Sequence, residues 1–302
     1  MLNNDFKTLC VILHYGKENL TNECIESIII NKFRDVDIVV SDNDPSQSYK
    51  LPQILNVNIK IVKTGGNVSF AKGNNIGVNK FLSDAHDSVL ILSNDTILTK
   101  NSLDFLRKTL KSKNDIGAVG PCVPYYSNPD KIWSCGGIIN YPKLNINGSD
   151  KKDNLPYETD YLPGAVLLCR SDIWKEIGGF NEDYFLAYEE AEFSLEIKKK
   201  GLKVIADPRS IVLHHVGMSE VRSSKYFYNE IRNRITFSKY IYGKKIGLLY
   251  AIIITMLYSL KAPYLKSNKQ SFLLWVKAVV HELKGIKVSS KVLNLIEDEF
   301  KD

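Results

Sequence analysis

The chain has 302 residues, 44% of them hydrophobic and 25% charged, which excludes a disordered, collagen-like or low-complexity polymer and is ample for a large core. Its formal charge of +6 is uneven: residues 222–302 carry 15 Lys and Arg against 6 Asp and Glu, which leaves the first 221 residues slightly acidic. The five cysteines are scattered with no CxxC pair, so a zinc ribbon or a dithiol redox motif is excluded.

The length suits one large α/β domain with an appendage, or two domains. At the start, Asp5 and Lys7 precede a very short apolar run, so "TLCVILHY" (8–15) reads as a first β-strand rather than a secretory signal. Buried reduced thiols and a cytoplasmic location are the matching expectations. "VDIVVSDN" (36–43) and "NIKIVKTG" (58–65) are further strands buried on both faces, and a helix between the first two starts from Asn19 or Thr21 as N-cap. A second helix covers about 71–85, "SVLILSNDTIL" (88–98) is one more strand, and a third helix covers about 102–111. This alternation predicts a parallel, doubly wound sheet, in which ligands bind at the carboxyl ends of strands. Asp42 and Asp95 both stand at such ends; each alone is an ordinary turn aspartate, and their recurrence points to one crevice.

The middle of the chain changes character. The polar run 145–154 reads as a mobile loop, and "GAVLLCRSDIWKEIGG" as a strand, a Ser171 N-cap and a helix ended by Gly178 and Gly179. "AYEEAEFSLEIKKKG" is another helix, with Glu189, Glu190 and Glu192 crowded into its first turn. Carboxylates there complement the helix dipole, and adjacent ones diverge by about 100°, so Glu189 and Glu190 do not aim at one point. They are either a solvated first turn or a proton acceptor for a substrate. "LKVIADP" and "SIVLHHVG" are the final strands. His214 is either a wall residue or a metal ligand, and Trp133, Tyr161 and Trp174 are either core residues or stacking platforms for a sugar. The stretch "GGNVSFAKG" does not fit a GxGxxG dinucleotide loop after the first strand. In the basic tail, "IGLLYAIIITMLYSL" (246–260) is shorter than the about 20 residues that span a bilayer. With "QSFLLWVKAVVHELKG" it suits helices lying in a membrane interface, a helical cap, or a homodimer contact.

In order, "VILHYGKENLTNECIESI", "VVSDND", "GGNVSFAKGNNIGV", "LILSNDT", "GAVLLCRSDIWKEIGGFNEDYF", "YEEAEFSLEIKKKG" and "HHVGMS" resemble glycosyltransferase family 2, in particular its bacterial rhamnosyltransferase-like and galactofuranosyltransferase-like members. The resemblance covers about residues 7–235. It implies a GT-A fold: a Rossmann-like, mostly parallel sheet flanked by helices, with a C-terminal helical, membrane-associating appendage. Residues 1–120 would be the nucleotide-sugar half, 121–221 the acceptor and catalytic half, and 222–302 the basic helical region. By the same resemblance Asp42, Asn67, Lys72, Asn74 and Asn75 lie against the donor nucleotide, and Ser69 stands where relatives usually carry glycine. Asp95 and His214 would hold Mn²⁺ or Mg²⁺. Glu190, where relatives usually have aspartate, would be the catalytic base with Glu189 in support. Arg232 and Arg234, in "RNR", would meet a diphosphate.

The implied activity is inverting, metal-dependent transfer from a UDP- or dTDP-sugar to a surface-polysaccharide precursor, its acceptor being linked to a polyprenyl diphosphate at the inner face of the cell membrane. The rivals are a sugar nucleotidyltransferase, which would want a Gly-rich basic signature that "HYGKENLTNE" lacks, and a non-catalytic glycan-binding subunit.

Overall fold

The computed structural model describes residues 6–52, 59–150, 154–216, 223–261 and 268–300. In chain order its elements begin with β1 (Thr8–His14), α1 (Glu18–Ile30), β2 (Val36–Asp42), β3 (Lys60–Lys63), α2 (Phe70–Phe81), β4 (Ser88–Ser93), β5 (Thr96–Leu98) and α3 (Ser102–Ser112). They continue with β6 (Ile116–Tyr125), β7 (Asn128–Cys135), β8 (Gly137–Asn140), β9 (Asn145–Gly148), β10 (Tyr157–Glu158), β11 (Val166–Arg170), α4 (Ser171–Ile177) and α5 (Glu189–Lys199). The last are β12 (Lys203–His214), α6 (Ser224–Tyr242), α7 (Lys244–Lys261), α8 (Asn268–Leu283) and α9 (Ser290–Glu299).

The main sheet has ten strands, with the path β10-β12-β6-β11-β4-β1-β2-β3 and with β5 and β7 attached to β12 and β6. The pairs β1–β2, β1–β4, β2–β3 and β6–β12 are parallel, whereas β11 runs antiparallel to both β4 and β6. Both faces are covered, which is why these strands are continuous apolar runs. Ile12, Val40 and Leu92 join one core with α1 and α3, while their neighbours Val11, Val39 and Ile91 join a second core on the other face. Two glycines bring α2 close to that second face. A Cβ on Gly73 would stand 2.6 Å from Leu13, and one on Gly77 would stand 2.7 Å from Val11.

Several elements differ from the expectation. The run 88–98 is two strands, because Asn94 and Asp95 break it and β5 turns away to pair with β12. The two final strands are one, β12, with a register shift between Asp207 and Ile211. Part of the expected loop 145–154 is β9, paired with β8, while residues 151–153 lie outside the described set. Lys17 rather than Asn19 or Thr21 precedes α1, and Ser171 lies inside α4, its hydroxyl donating to the His86 carbonyl instead of capping. All five cysteines are buried.

The C-terminal helices share a core that also takes in Phe185. Phe227, Tyr228, Ile231 and Ile235 of α6 pack with Ala251, Leu274, Ala278 and Ile296 of the later helices in a third core. Among the described residues no helix is long and apolar enough to cross a membrane.

Candidate active site

The ends of β1, β2 and β4 are level, with His14 opposite Asp42 and Leu13 opposite Ser93 in the registers. The loops that leave these strands therefore open onto one edge of the sheet. Asp42 is fully buried and accepts the amides of Asp44 (3.3 Å) and Tyr49 (3.2 Å), which ties down the loop after β2. Tyr49 packs on the His14 ring with centroids 4.5 Å apart, and burial lowers the His14 pKa, so that ring is neutral at pH 7. Asn43 knits this loop to the next by accepting the Val68 amide and the Thr64 hydroxyl. Ser69 starts α2 from an unusual backbone conformation. Its φ is 120°, a conformation that favours glycine, and its hydroxyl compensates by accepting the Lys72 amide as the N-cap of α2.

The other residues expected at the nucleotide divide. Asn67 lines a cavity at this edge of the sheet, whereas the Lys72 side chain is exposed. Asn74 donates to the Phe70 carbonyl within α2, and Asn75 exchanges hydrogen bonds with Phe180 and donates to Glu182. Asn75 thus ties α2 to the segment after α4, whereas Asn74 bonds only within its own helix and leaves its Oδ1 buried without a partner.

Asp95 and His214 are 119 residues apart and meet because β12 returns against β5, with His214 opposite Thr96. His214 Nε2 is 3.1 Å from Asp95 Oδ1, and the His215 amide donates to the Asp95 carbonyl. Trp133 packs edge-on against the His214 ring, whose Nδ1 is buried without a hydrogen-bond partner. Among the described residues no group of three or more His, Cys, Asp or Glu forms a closed metal cage. One carboxylate and one imidazole within reach of a common point fit a hard divalent cation that takes its remaining ligands from phosphate oxygens and water.

The three glutamates of α5 have different partners. Glu192 is held by the Tyr184 hydroxyl (2.6 Å) and by Asn181 (2.9 Å), whereas Glu189 and Glu190 each bury an Oε2 with no hydrogen-bond partner. Desolvation pushes the Glu190 pKa up to about 7, and desolvation with the neighbouring Glu190 charge pushes Glu189 well above the carboxylate range. The turn that delivers them is strained. Ala187 and Tyr188, neither a glycine, have φ of 69° and 76°. Helix α6 holds that turn: Asn229 donates to the Leu186 carbonyl (2.8 Å), and Asn233 donates to those of Leu186 (2.6 Å) and Ala187 (3.0 Å). Tyr188 bonds to Glu230, which Arg234 also engages. Arg232 is turned to other work; it is buried, and pairs with Glu282 (2.8 Å) and the Ile286 carbonyl, joining α6 to α8. Tyr161 and Trp174 belong to the core, with Trp174 packed on Phe180 and Phe193.

A cavity of about 230 Å³ lies at this edge. Asn43, Asn67 and Asp95 are among the residues on its strand-end side, Phe70 comes from α2, Phe185 and Leu186 from the segment leading to α5, and α6 and α9 close the far side. Asp42, Lys72, Asn74, Asn75, Glu189, Glu190, His214 and Arg232 do not line it, although Glu190 is close behind: Gly164 neighbours both it and the cavity residue Phe70. The residues that sequence reasoning missed are Asn43, Asn229, Asn233 and the face of α9. The spacing of Asn229 and Asn233 by four on one helix was the available signal.

Known proteins share this architecture. The model of a family described as "Glycosyltransferase like family 2" matches residues 7–234. The chain is 25% identical over 262 residues to the low-salt glycan biosynthesis hexosyltransferase Agl10 of Haloferax volcanii, covering 82% of this chain and 81% of that one. It is 22% identical over 222 residues to an N-acetylglucosaminyl-diphospho-decaprenol L-rhamnosyltransferase of Mycobacterium tuberculosis, covering 66% and 72%. Among solved structures, GalNAc-T7 with UDP, GalNAc and Mn²⁺ aligns with a TM-score of 0.63 at 14% identity, over 93% of this chain and 57% of that one. The mannosyltransferase PcManGT of Pyrobaculum calidifontis with GDP-Man and Mn²⁺ aligns at 0.56 and 13% identity, over 97% and 79%.

Proposed function

The chain belongs to glycosyltransferase family 2, and from that premise we propose that it transfers a rhamnose- or galactofuranose-type sugar, with inversion, from a UDP- or dTDP-donor to a hydroxyl of a bacterial surface-polysaccharide precursor. The observation that carries this reading is the meeting of Asp95 with His214, a carboxylate and an imidazole able to hold a cation, beside a cavity backed by a buried carboxyl with an unpaired oxygen. Asp95 and His214 would hold a divalent Mn²⁺ or Mg²⁺, whose Lewis acidity would offset charge on a leaving diphosphate. Asn43 and Asn67 hold the donor loop, and Glu190 takes the proton of the attacking hydroxyl. Its raised pKa suits a base that must bind that proton near neutrality. Glu189, beside it at the start of α5, contacts an acceptor hydroxyl or orients the base. The unpaired Oε2 of each acid is the expected state of a site that awaits a donor group from substrate.

A relative named for a diphospho-decaprenol substrate makes a polyprenyl-diphosphate-linked glycan the proposed acceptor. Helix α7 supports attachment at the membrane surface. Ile246, Leu249, Ile253 and Leu257 form an exposed apolar stripe along it, beside the exposed Lys244 and Lys245. Residues 1–120 and 121–221 then act as donor and acceptor halves of one domain, with 222–302 as the basic appendage.

The test is incubation with UDP- and dTDP-sugars and Mn²⁺ or Mg²⁺, following nucleotide release. Metal-dependent release that Asp95→Ala abolishes is the expected result, and failure to bind any sugar nucleotide would sink the reading.

A further inference from the structure

Half of the cavity wall comes from outside the sheet. Asn229 of α6 and Ser290, Leu293 and Asn294 of α9 line it together with Asn43 and Asp95 of the strand-end loops. Asn229 is unlike the others. Its side chain is 6% exposed, its Nδ2 donates to the Leu186 carbonyl, and its Oδ1 is buried with no hydrogen-bond partner. Buried amide oxygens in folded proteins are almost always paired, so an unpaired one on a residue that lines a cavity points to a donor supplied from outside the chain. Asn233, one helical turn further on, ties the same strained turn by two hydrogen bonds but does not line the cavity.

We propose that Asn229, with Ser290 and Asn294, forms the binding site for the acceptor sugar, and that Asn229 serves two ends at once. Its Oδ1 accepts a hydrogen bond from an acceptor hydroxyl, while its Nδ2 fixes the Leu186–Tyr188 turn from which Glu189 and Glu190 begin α5. The ligand class is a neutral hexose face: the wall offers an amide oxygen, a hydroxyl, a second amide and the apolar surface of Leu293. The nearby cation Lys225 is paired with Glu297 at 3.4 Å. Binding of the acceptor therefore steadies the turn that presents the base, and an acceptor lacking that hydroxyl loses rate as well as affinity. This inference rests on the transferase reading above.

The two ends of Asn229 are separable by kinetics. The donors are dTDP-rhamnose and a UDP-hexofuranose, and the acceptor probe is N-acetylglucosaminyl diphosphate on a short alkyl chain. Asn294→Ala and Ser290→Ala should raise KM for the acceptor several-fold with kcat kept, since a neutral hydrogen bond is worth about a two- to tenfold change. Asn233→Ala should lower kcat with the acceptor KM kept. Asn229→Ala should do both, and Asn229→Asp, which keeps an acceptor oxygen but loses the donor to Leu186, should lower kcat alone. A merely structural role would lower the unfolding temperature without this division. Nucleotide binding measured separately by calorimetry distinguishes the failures. No nucleotide bound by the wild-type chain overturns the transferase reading itself. Nucleotide bound and turned over without transfer to the probe overturns the ligand class. Transfer with an unchanged acceptor KM in Asn294→Ala and Ser290→Ala overturns the subsite, even where Asn229→Ala fails to fold.

Discussion

At the scale of single residues, chemistry and stability pull against each other in the turn before α5. Glu190 is buried, with an orphaned oxygen and a pKa raised to about 7. A base works deprotonated, so a raised pKa means that transfer declines as pH falls below about 7, approaching a tenfold loss per unit. A pH–rate profile checks this, and a flat profile from pH 5 to 8 contradicts it. Replacing the group outright, as in Glu190→Gln, should keep nucleotide affinity and lower kcat by roughly 10²–10⁴-fold; loss in Glu189→Gln alone would exchange the two roles. Ala187, at a φ of 69°, carries strain that glycine would not. Ala187→Gly should raise stability by about 0.5–1 kcal/mol after the entropic cost of glycine is deducted. Denaturant unfolding reads it, and a destabilised variant would show that the strain is already relieved by Asn229 and Asn233. The legible residues were those tied to a pattern: Asp95 after an apolar run, and the glutamates by their crowding. Asn229 and Asn233 were not legible, because asparagine on a helix reads as a solvated side chain until the partner carbonyls are in view.

At the scale of elements, the pairing of β5 with β12 brings His214 to Asp95, the pair proposed to hold the cation. The sequence marked both residues but ran β4 and β5 together, because Thr96, Ile97 and Leu98 continue the apolar run with only Asn94 and Asp95 between. The break shows only in the partner that β5 chooses. Helix α7 has the opposite character, with a face that finds no partner among the described residues. Ile253→Glu together with Leu249→Glu should reduce co-sedimentation with vesicles containing about 30% anionic lipid, because each removes buried apolar area and adds repulsion. Unchanged partitioning would instead favour a protein contact on that face.

For the whole molecule, the alternation of strands and helices foretold the parallel part of the sheet, and the antiparallel β11 was beyond it. Nothing in "VLLCR" distinguishes an antiparallel buried strand from a parallel one, since both faces are covered either way. The helical appendage was legible as helices and not as a wall of the site, because that depends on how α9 packs beneath α6. Its third core buries Phe227, Tyr228, Ile231 and Ile235 of α6 against the later helices. A chain ended after Gly243 should therefore expose that face and aggregate, as light scattering would record; a monodisperse truncated protein would mean that α6 finds other cover.

The two walls of the cavity come from opposite ends of the chain, Asn43 and Asn67 from early loops and Leu293 and Asn294 from α9. On the proposed assignment, donor and acceptor contacts therefore sit far apart in the chain. Ser290, Leu293 and Asn294 can be exchanged without touching Asn43 or Asn67, and acceptor choice can be retuned from three positions on one face of a single helix.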